Sequence, residues 1–519
     1  MTGNGIDLKV MTALLEFFPV GKDVRRVAND FSPRGTIQNT RYAWRGPIEA
    51  PTGVDFKGTL SGFAVAQHES LPGLSGFTGT VEGSEKGGKF EIASRDLALE
   101  LPKIYEDPLQ FARLDAKGAW TLDADALRVD LKSLDLANTD MEGAFSGKYE
   151  RFRPAGARAM DEKGPGTIDL TGKFARIDAR SVGKYLHKNV MVVRDYLEWA
   201  IRTGEVKDAQ VVLKGPLYEF PFRHGTNGQF RIAGLLSDIT LRHTEGWPQI
   251  SGIGGDVVYE NTHFEAHVNA AQVLSTRLGK TSIVIDDLAN QPPMLVIQGT
   301  TPARAEEVTR YIKESALMNS IGGFTRFVAL DGPGKLDLTL KIPLGNPEVH
   351  KVPFRFDGLY AVNRGRALVT VGDKKTELSN VSGAVSFSET ATKSQAVTGT
   401  AFGYPATVTI NGNPDGGVTT EFTARAELGA ATPLGTLLPL KLPQQISGTV
   451  DLTGKIVGRA SGTEIQVASN LTGAVSALPF PLAKRADETR KLQLIFTNTG
   501  QAGEQIRLTL AGNALSSNP

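Results

Sequence analysis

The chain has 519 residues, no cysteine, and 57 Lys plus Arg against 56 Asp plus Glu. This balance leaves no net field to draw nucleic acid or anionic headgroups, and without thiols neither disulfides nor thiolate metal sites form. No apolar run reaches the ~18–20 residues that span a bilayer, and the opening MTGNGIDLKV lacks the basic and apolar regions of a signal peptide.

In chain order, LKVMTALLEFF (8–18) is an apolar, helix-like stretch leading into PRGTIQNTRYAWRGP (33–47). FKG (56–58) and LSGFTGTV (74–81) then read as glycine-bearing strands. Gly73, Gly76 and Gly79 spell GxxGxxG rather than the GxGxxG of a dinucleotide site, so backbone turns explain them. Asp123 and Asp125 are carboxylates of a type that ligates Ca2+, yet no EF-hand pattern surrounds them; they read as solvated turn residues. GPGTIDLTGK (164–173) sets a turn before a strand in which Ile168 and Leu170 share one face.

NVMVVRDYLEWAIRTG (189–204) carries Val192, Val193, Tyr196, Leu197, Ala200 and Ile201 at helical spacing. Asn189 is the expected cap and Gly204 the expected stop. DAQVVLKGPL (208–217) follows, with Val211 and Leu213 on one strand face. FRIAG (230–234) and ISGIGGDV (250–257) repeat the earlier glycine phrases, so the Gly252, Gly254, Gly255 cluster is also a matter of backbone turns. His263, Glu265 and His267 share a strand face and are all metal-ligand types. They do not form the helical HExxH pattern, and a wet strand face is the reading. Trp199 and Trp247 read as packing residues.

Thr301-Pro302 is the expected cap and first turn of a helix through Val308, Tyr311 and Ile312. KLDLTLKIPL (335–344) then alternates strictly: Leu336, Leu338, Leu340, Ile342 and Leu344 lie on one face, with Asp337, Thr339 and Lys341 between them. FRFDG (354–358) and LSNVSGAV (378–385) follow it. Thr432-Pro433 opens a short helix, and SGTVDLTGK (447–455) introduces a strand face of Val450, Leu452 and Ile456. Leu492, Leu494 and Phe496, then Ile506, Leu508 and Leu510, continue the alternation.

The phrases recur in order. Tyr185 to Pro216 spans 31 residues and Tyr311 to Pro343 spans 32; from the glycine strand to the next phrase the spacing is 16, 16 and 20. GPGTIDLTGK precedes a helical pair whereas GPGKLDLTLK follows one, so that phrase is local strand chemistry, but the series around it is an irregular repeat. Four units are expected: 1–177 with an N-terminal helical segment, 178–300 opening with a helix pair, 301–430 opening with a helix, and 431–519 as the start of a further unit. Each strand has an apolar face, and the few helices cannot cover some thirty of them. The faces must therefore pair, close into a barrel, or line a channel filled by something apolar.

The order of helix pair, glycine strand, FPF (220–222), Trp247-Pro248 and ISGIGG resembles the YhdP branch of the AsmA-like bacterial envelope proteins, as do LPKIYEDPLQFARLDAKGAW (101–120) and LPFPLAKRADE (478–488). The resemblance implies a mainly β, elongated repeating β-groove: a long bent antiparallel sheet with a few short amphipathic helices, whose apolar concave face carries phospholipid acyl chains. Ile168, Leu170, Val211, Leu213, Leu336, Leu338, Leu340, Ile342, Val450, Leu452 and Ile456 are then the expected groove floor. It further implies a periplasmic protein anchored in the inner membrane and reaching toward the outer one. The chain shows no such anchor, so it is expected to be an internal fragment of a longer protein or a truncated gene product. No cofactor, metal or catalytic constellation is expected, and no nucleic-acid partner. About thirty strands at roughly 4.8 Å give an axis on the order of 140 Å. A non-transporting structural or adhesive β-repeat is the alternative. An outer-membrane barrel fits less well, because many strands are shorter than the ~9–11 residues such barrels use and aromatic girdles are missing.

Overall fold

In the computed structural model the alternating segments join edge to edge in one antiparallel sheet. The structure describes residues 2–517 except 16, 18–21, 47–52, 69–71, 103, 124–125, 153–165, 187, 189–190, 224–226, 316, 321–327, 346, 372–373, 413–417, 438–440, 460–461, 499–503 and 511–512. Among the described residues the sheet has 31 strands. The first are β1 (Thr2–Gly3), β2 (Ile6–Asp7), β3 (Arg34–Arg45), β4 (Gly53–Val65), β5 (Gly73–Ser84), β6 (Gly87–Glu100), β7 (Leu109–Leu122), β8 (Ala126–Ala137), β9 (Met141–Phe152) and β10 (Thr167–Asp178). The middle holds β11 (Ile201–Pro216), β12 (Gln229–Leu241), β13 (Ile250–Glu260), β14 (His263–Val273), β15 (Thr276–Arg277), β16 (Thr281–Ile285), β17 (Met294–Pro302), β18 (Val328–Asp331), β19 (Gly334–Pro343), β20 (Arg355–Val371) and β21 (Lys374–Ser388). The last part comprises β22 (Thr392–Ser394), β23 (Val397–Ala401), β24 (Tyr404–Gly412), β25 (Val418–Leu428), β26 (Ile446–Arg459), β27 (Gly462–Ser469), β28 (Ala474–Ser476), β29 (Leu492–Asn498), β30 (Glu504–Leu510) and β31 (Asn513–Ser517).

The helices interrupt this run: α1 (Leu8–Leu14), α2 (Lys22–Phe31), α3 (Met191–Ala200), α4 (Ala305–Lys313), α5 (Leu317–Ser320), α6 (Pro347–His350) and α7 (Pro433–Leu437), with a 3-10 turn at Ala179–Tyr185. Asp7 caps α1 by accepting from the Val10 amide at 3.0 Å, and Thr432 caps α7 through its hydroxyl and the Gly435 amide at 3.2 Å, with Pro433 in the first turn.

Two expected helix boundaries are corrected. The helix expected over 189–204 ends at Ala200, because Ile201 and Thr203 already pair with Leu241 and Thr240 in β12. Gly204 therefore lies inside β11 rather than stopping a helix, and the proposed cap Asn189 lies outside the described residues. Thr301 and Pro302 do not open α4. They extend the ladder opposite Leu336 and Lys335, and the helix starts after Arg304, whose amide donates to the Glu307 carboxylate at 3.2 Å. In both places strand pairing with a neighbour outweighs a local helix signal.

Every strand pairing is antiparallel, so neighbouring strands alternate in direction and each connection falls on one of two rims. Following the alternation, α1 to α5, α7, the 3-10 turn 179–185 and the connections 101–108 and 242–249 all lie on one rim, the helical rim. The hairpin rim holds mostly tight turns and the longer connections 217–228, 286–293 and 344–354, the last including α6. Register shifts occur where glycine phrases cross a strand, as between Ser75 and Gly79 and between Ser251 and Gly254. Gly76 (φ +76°) and Gly252 (φ +61°) supply the left-handed backbone these bulges need, and bulges add twist and bend to the sheet.

Candidate functional site

Side chains directly opposite each other in an antiparallel pair emerge on the same face, so the register traces that face from strand to strand. Ile168 and Leu170 stand opposite Gly215 and Leu213. Val211 then faces Ile232, and Ile232 faces Tyr259. The path continues through Phe264, Ile285 and Ile283 to Ile297, which stands opposite Leu340. Leu340 faces Phe356, Gly358 faces Phe387, and across the next strands Ala424 faces Leu452. Ile456 faces Ile465, then Phe496, then Ile506. All eleven residues expected on a groove floor thus lie on one unbroken apolar face.

Several glycines on this face sit beneath aromatic rings. A Cβ at Gly172 would lie 2.2 Å from the Phe145 ring, one at Gly358 2.1 Å from Phe387, and one at Gly454 2.3 Å from Phe422. The rings occupy the space that a side chain at each glycine would fill.

The opposite face is polar and carries cross-strand ion pairs: Lys214 with Asp169 at 2.9 Å, Lys117 with Glu91 at 2.6 Å, and Arg425 with Asp451 at 2.7 Å. His263, Glu265 and His267 are on this wet face. His267 bridges Asp256 and Glu265, each at 3.1 Å, and no group of three or more metal-ligand side chains is arranged to hold an ion among the described residues. Asp123 pairs with Arg128; Asp125 lies outside the described residues. A hollow of about 530 Å³ on this side is lined by Asp337, Thr339, Asp357 and Lys393 together with apolar residues such as Leu359.

What covers the apolar face differs along its length. Over β6–β11 the helical rim covers only the nearer half. Val182 and Tyr185 of the 3-10 turn pack against the cluster that contains Leu97, Phe111, Leu136, Met141 and Ile177. That turn is fixed by Asp140, which accepts from Ser181 (2.8 Å), Tyr185 (3.0 Å) and Lys184 (3.1 Å). Burial alone would push the Asp140 carboxyl up, but the hydrogen bonds from Ser181, Lys184 and Tyr185 hold it below the usual carboxylate range. Toward the hairpin rim Ile168, Leu170 and Leu213 stay half-buried. Near the C-terminal end Leu434 of α7 covers Val450 and Leu452 similarly, while Ile456 remains half-buried.

The centre is different. Trp247 lies on the helical-rim connection 242–249, and its ring is 5.8 Å from Tyr311 of α4 and 5.5 Å from Phe354 on the hairpin rim. The rings continue to Phe356 at 5.8 Å and Phe387 at 6.4 Å. Beneath them Leu340 is 4% exposed and Phe356 2%, in one cluster with Leu295, Ile297, Ile312, Ile342 and Leu344. Leu336 and Leu338 on the same strand are half-buried. His243 supports Trp247 edge-on at 5.3 Å, and burial pushes its imidazole down to about 4. Nothing in the alternation at 336–344 distinguishes the covered Leu340 from the half-buried Leu338; the covering rings come from positions about a hundred residues apart in the chain.

The YhdP protein family matches residues 2–518. The chain is also similar to the intermembrane phospholipid transporter YhdP of Escherichia coli strain K12, with 25% identity over 475 residues, covering 88% of this chain and 36% of that protein. The chain thus spans about a third of the length of the curated relative it matches. No solved structure matches it.

Proposed function

The chain belongs to the YhdP family, and from that premise we propose that it is part of a periplasmic, bridge-like conduit that carries phospholipid between the inner and outer membranes along its apolar face. The observation that carries this reading is the continuity of that face: one apolar side from β10 through β19 to β30, with charge ladders confined to the other side. Ile168, Leu170, Leu213 and Ile456 are the groove-floor residues whose side chains retain exposure for acyl chains, while Leu336 and Leu338 are half-buried against the central cluster. Val211, Leu340, Ile342, Val450 and Leu452 complete the floor beneath protein cover.

Each buried methylene contributes roughly 0.8 kcal/mol, so two acyl chains are held strongly against water. Moving them along the face costs little, since the apolar surface ahead of a sliding chain replaces the surface it leaves behind. The headgroup stays at the open side, in water. This mechanism needs no catalytic residue and no cofactor. The four units 1–177, 178–300, 301–430 and 431–519 are read as successive groove segments, and attachment to either membrane as the task of segments beyond this chain; no helix among the described residues is long and apolar enough to cross a membrane.

Native mass spectrometry of gently purified chain tests the proposal. Co-purifying phospholipid at one or more per chain is the expected result. A clean apo mass that persists after incubation with phosphatidylethanolamine and phosphatidylglycerol vesicles would favour the structural or adhesive β-repeat instead.

A further inference from the structure

We infer that the apolar face is divided into two separate lipid-holding segments by an aromatic strap that crosses it from rim to rim over β17–β20. The inference rests on the acyl-chain reading above and adds to it a partition that the alternation of residues does not contain.

Three observations carry it. First, the strap joins opposite rims. Trp247 and Tyr311 belong to helical-rim connections, whereas Phe354 precedes β20 on the hairpin rim, yet the Trp247 ring contacts both. Second, the floor below is filled rather than tunnelled. Leu295 (4%), Leu340 (4%), Leu344 (2%) and Phe356 (2%) have almost no accessible surface, so an acyl chain reaches them only by displacing the rings. On the same face Leu170 and Leu213 on one side, and Leu494 and Leu508 on the other, remain half-buried. Third, the attachments of the strap are unequal. At the helical rim α4 is tied down by polar bonds: the Ala305 amide donates to the Gly332 carbonyl at 2.9 Å, the Tyr360 hydroxyl to the Ala303 carbonyl at 3.2 Å, and Arg304 pairs with Asp331 at 2.7 Å. The contacts that reach Phe354 are ring to ring. The strap is therefore hinged at one rim and latched at the other by apolar contact, which a competing acyl chain replaces in kind.

Resting chain thus holds lipid on β3–β12 and again on β21–β30, and passage between the two requires the Trp247–Phe354 contact to part. The partition predicts which residues lipid touches. Full-length chain grown with diazirine-leucine, a near-isosteric photoreactive analogue, is incubated with phosphatidylethanolamine and phosphatidylglycerol vesicles, irradiated, and its lipid adducts located by peptide mass spectrometry. Adducts are expected at Leu170, Leu213, Leu494 and Leu508, with at least tenfold fewer at Leu340. In the double variant Trp247→Ala, Phe354→Ala, labelling at Leu340 is expected to rise toward that at Leu170. Circular dichroism checks the fold of the double variant, and Phe354→Val alone replaces it if it melts. Labelling of Leu340 equal to Leu170 in the unaltered chain would overturn the strap alone, as would an unchanged Leu340 in a folded variant. Adducts at no leucine would instead overturn the acyl-chain reading and the strap with it.

Discussion

Strands β10 and β19 carry nearly the same sentence, GTIDLTGK and GKLDLTLK, and place their leucines on the same face of the same sheet. Leu170 and its counterpart Leu338 both keep part of their surface, while Leu340, which stands where β10 has Gly172, loses almost all of it. Part of the difference is in the strand, and part is in its cover. Over β10 the cover comes from one rim, a 3-10 turn pinned by Asp140 that stops halfway across. Over β19 it comes from both, because Trp247 meets Phe354. An amphipathic strand thus decides which side is apolar, and the connections at its ends decide whether that side is a surface or a core.

The largest test of this contrast is a buried charge. Leu340→Asp puts an unpaired carboxylate under the strap and is expected to cost about 4 kcal/mol or more. Leu170→Asp, hydrated from the open side, should cost roughly half that. Since a repeat array unfolds by segments rather than as a whole, hydrogen exchange of β17–β20 and β9–β11 reads the two separately; equal losses would erase the distinction. Trp247→Ala comes next, with an expected local loss of about 3–5 kcal/mol from the emptied volume. Trp120, half-buried on the same face, should lose clearly less on the same change, as followed by urea unfolding and exchange.

Acid should separate the regions too. His243 is neutral in the folded chain, its pKa pushed down by burial from 6.5 to about 4. Between those values the unfolded chain takes up a proton that the folded one refuses, so stability of the centre falls as pH drops from about 6.5 toward 4. Its immediate polar neighbours, the Thr244 hydroxyl on Nδ1 and the Tyr196 hydroxyl on its carbonyl, do not titrate in that window. The Asp140 pin works lower: its carboxyl is held below 3.8, so its contribution persists until the pH falls through that depressed value. Exchange at pH 5, corrected for intrinsic rates, is expected to loosen 305–313 while 179–185 stays protected. His243→Leu should remove the pH dependence of the centre. Smallest of all, a double-mutant cycle on Lys214 and Asp169, both more than half exposed, should give no more than about 0.5 kcal/mol. Removing either partner of the exposed Arg425 and Asp451 pair should likewise leave stability almost unchanged, since the polar face is alike in both regions.

Much of this was legible in the residues. Alternation at 168–170, 336–342 and 450–456 assigned side chains to the correct shared face, and Thr432-Pro433 marked a true helix start. The helix signals that failed, Gly204 and Thr301-Pro302, sit where a neighbouring strand offers a ladder. A local propensity of under about 1 kcal/mol per residue does not compete with several paired backbone groups.

By itself, then, the sequence determined a mainly β chain with one apolar and one charged side, because a period of two is a property of neighbouring residues. The tertiary structure alone decided that the apolar sides join into a single face, that α1 to α5 and α7 gather on one rim, and that Leu340 is sealed while Leu338 stays half-buried. Register depends on bulges that shift some of the pairings, and the roof depends on Trp247 and Phe354 meeting across the groove. Both are long-range contacts, and no short window of sequence encodes them.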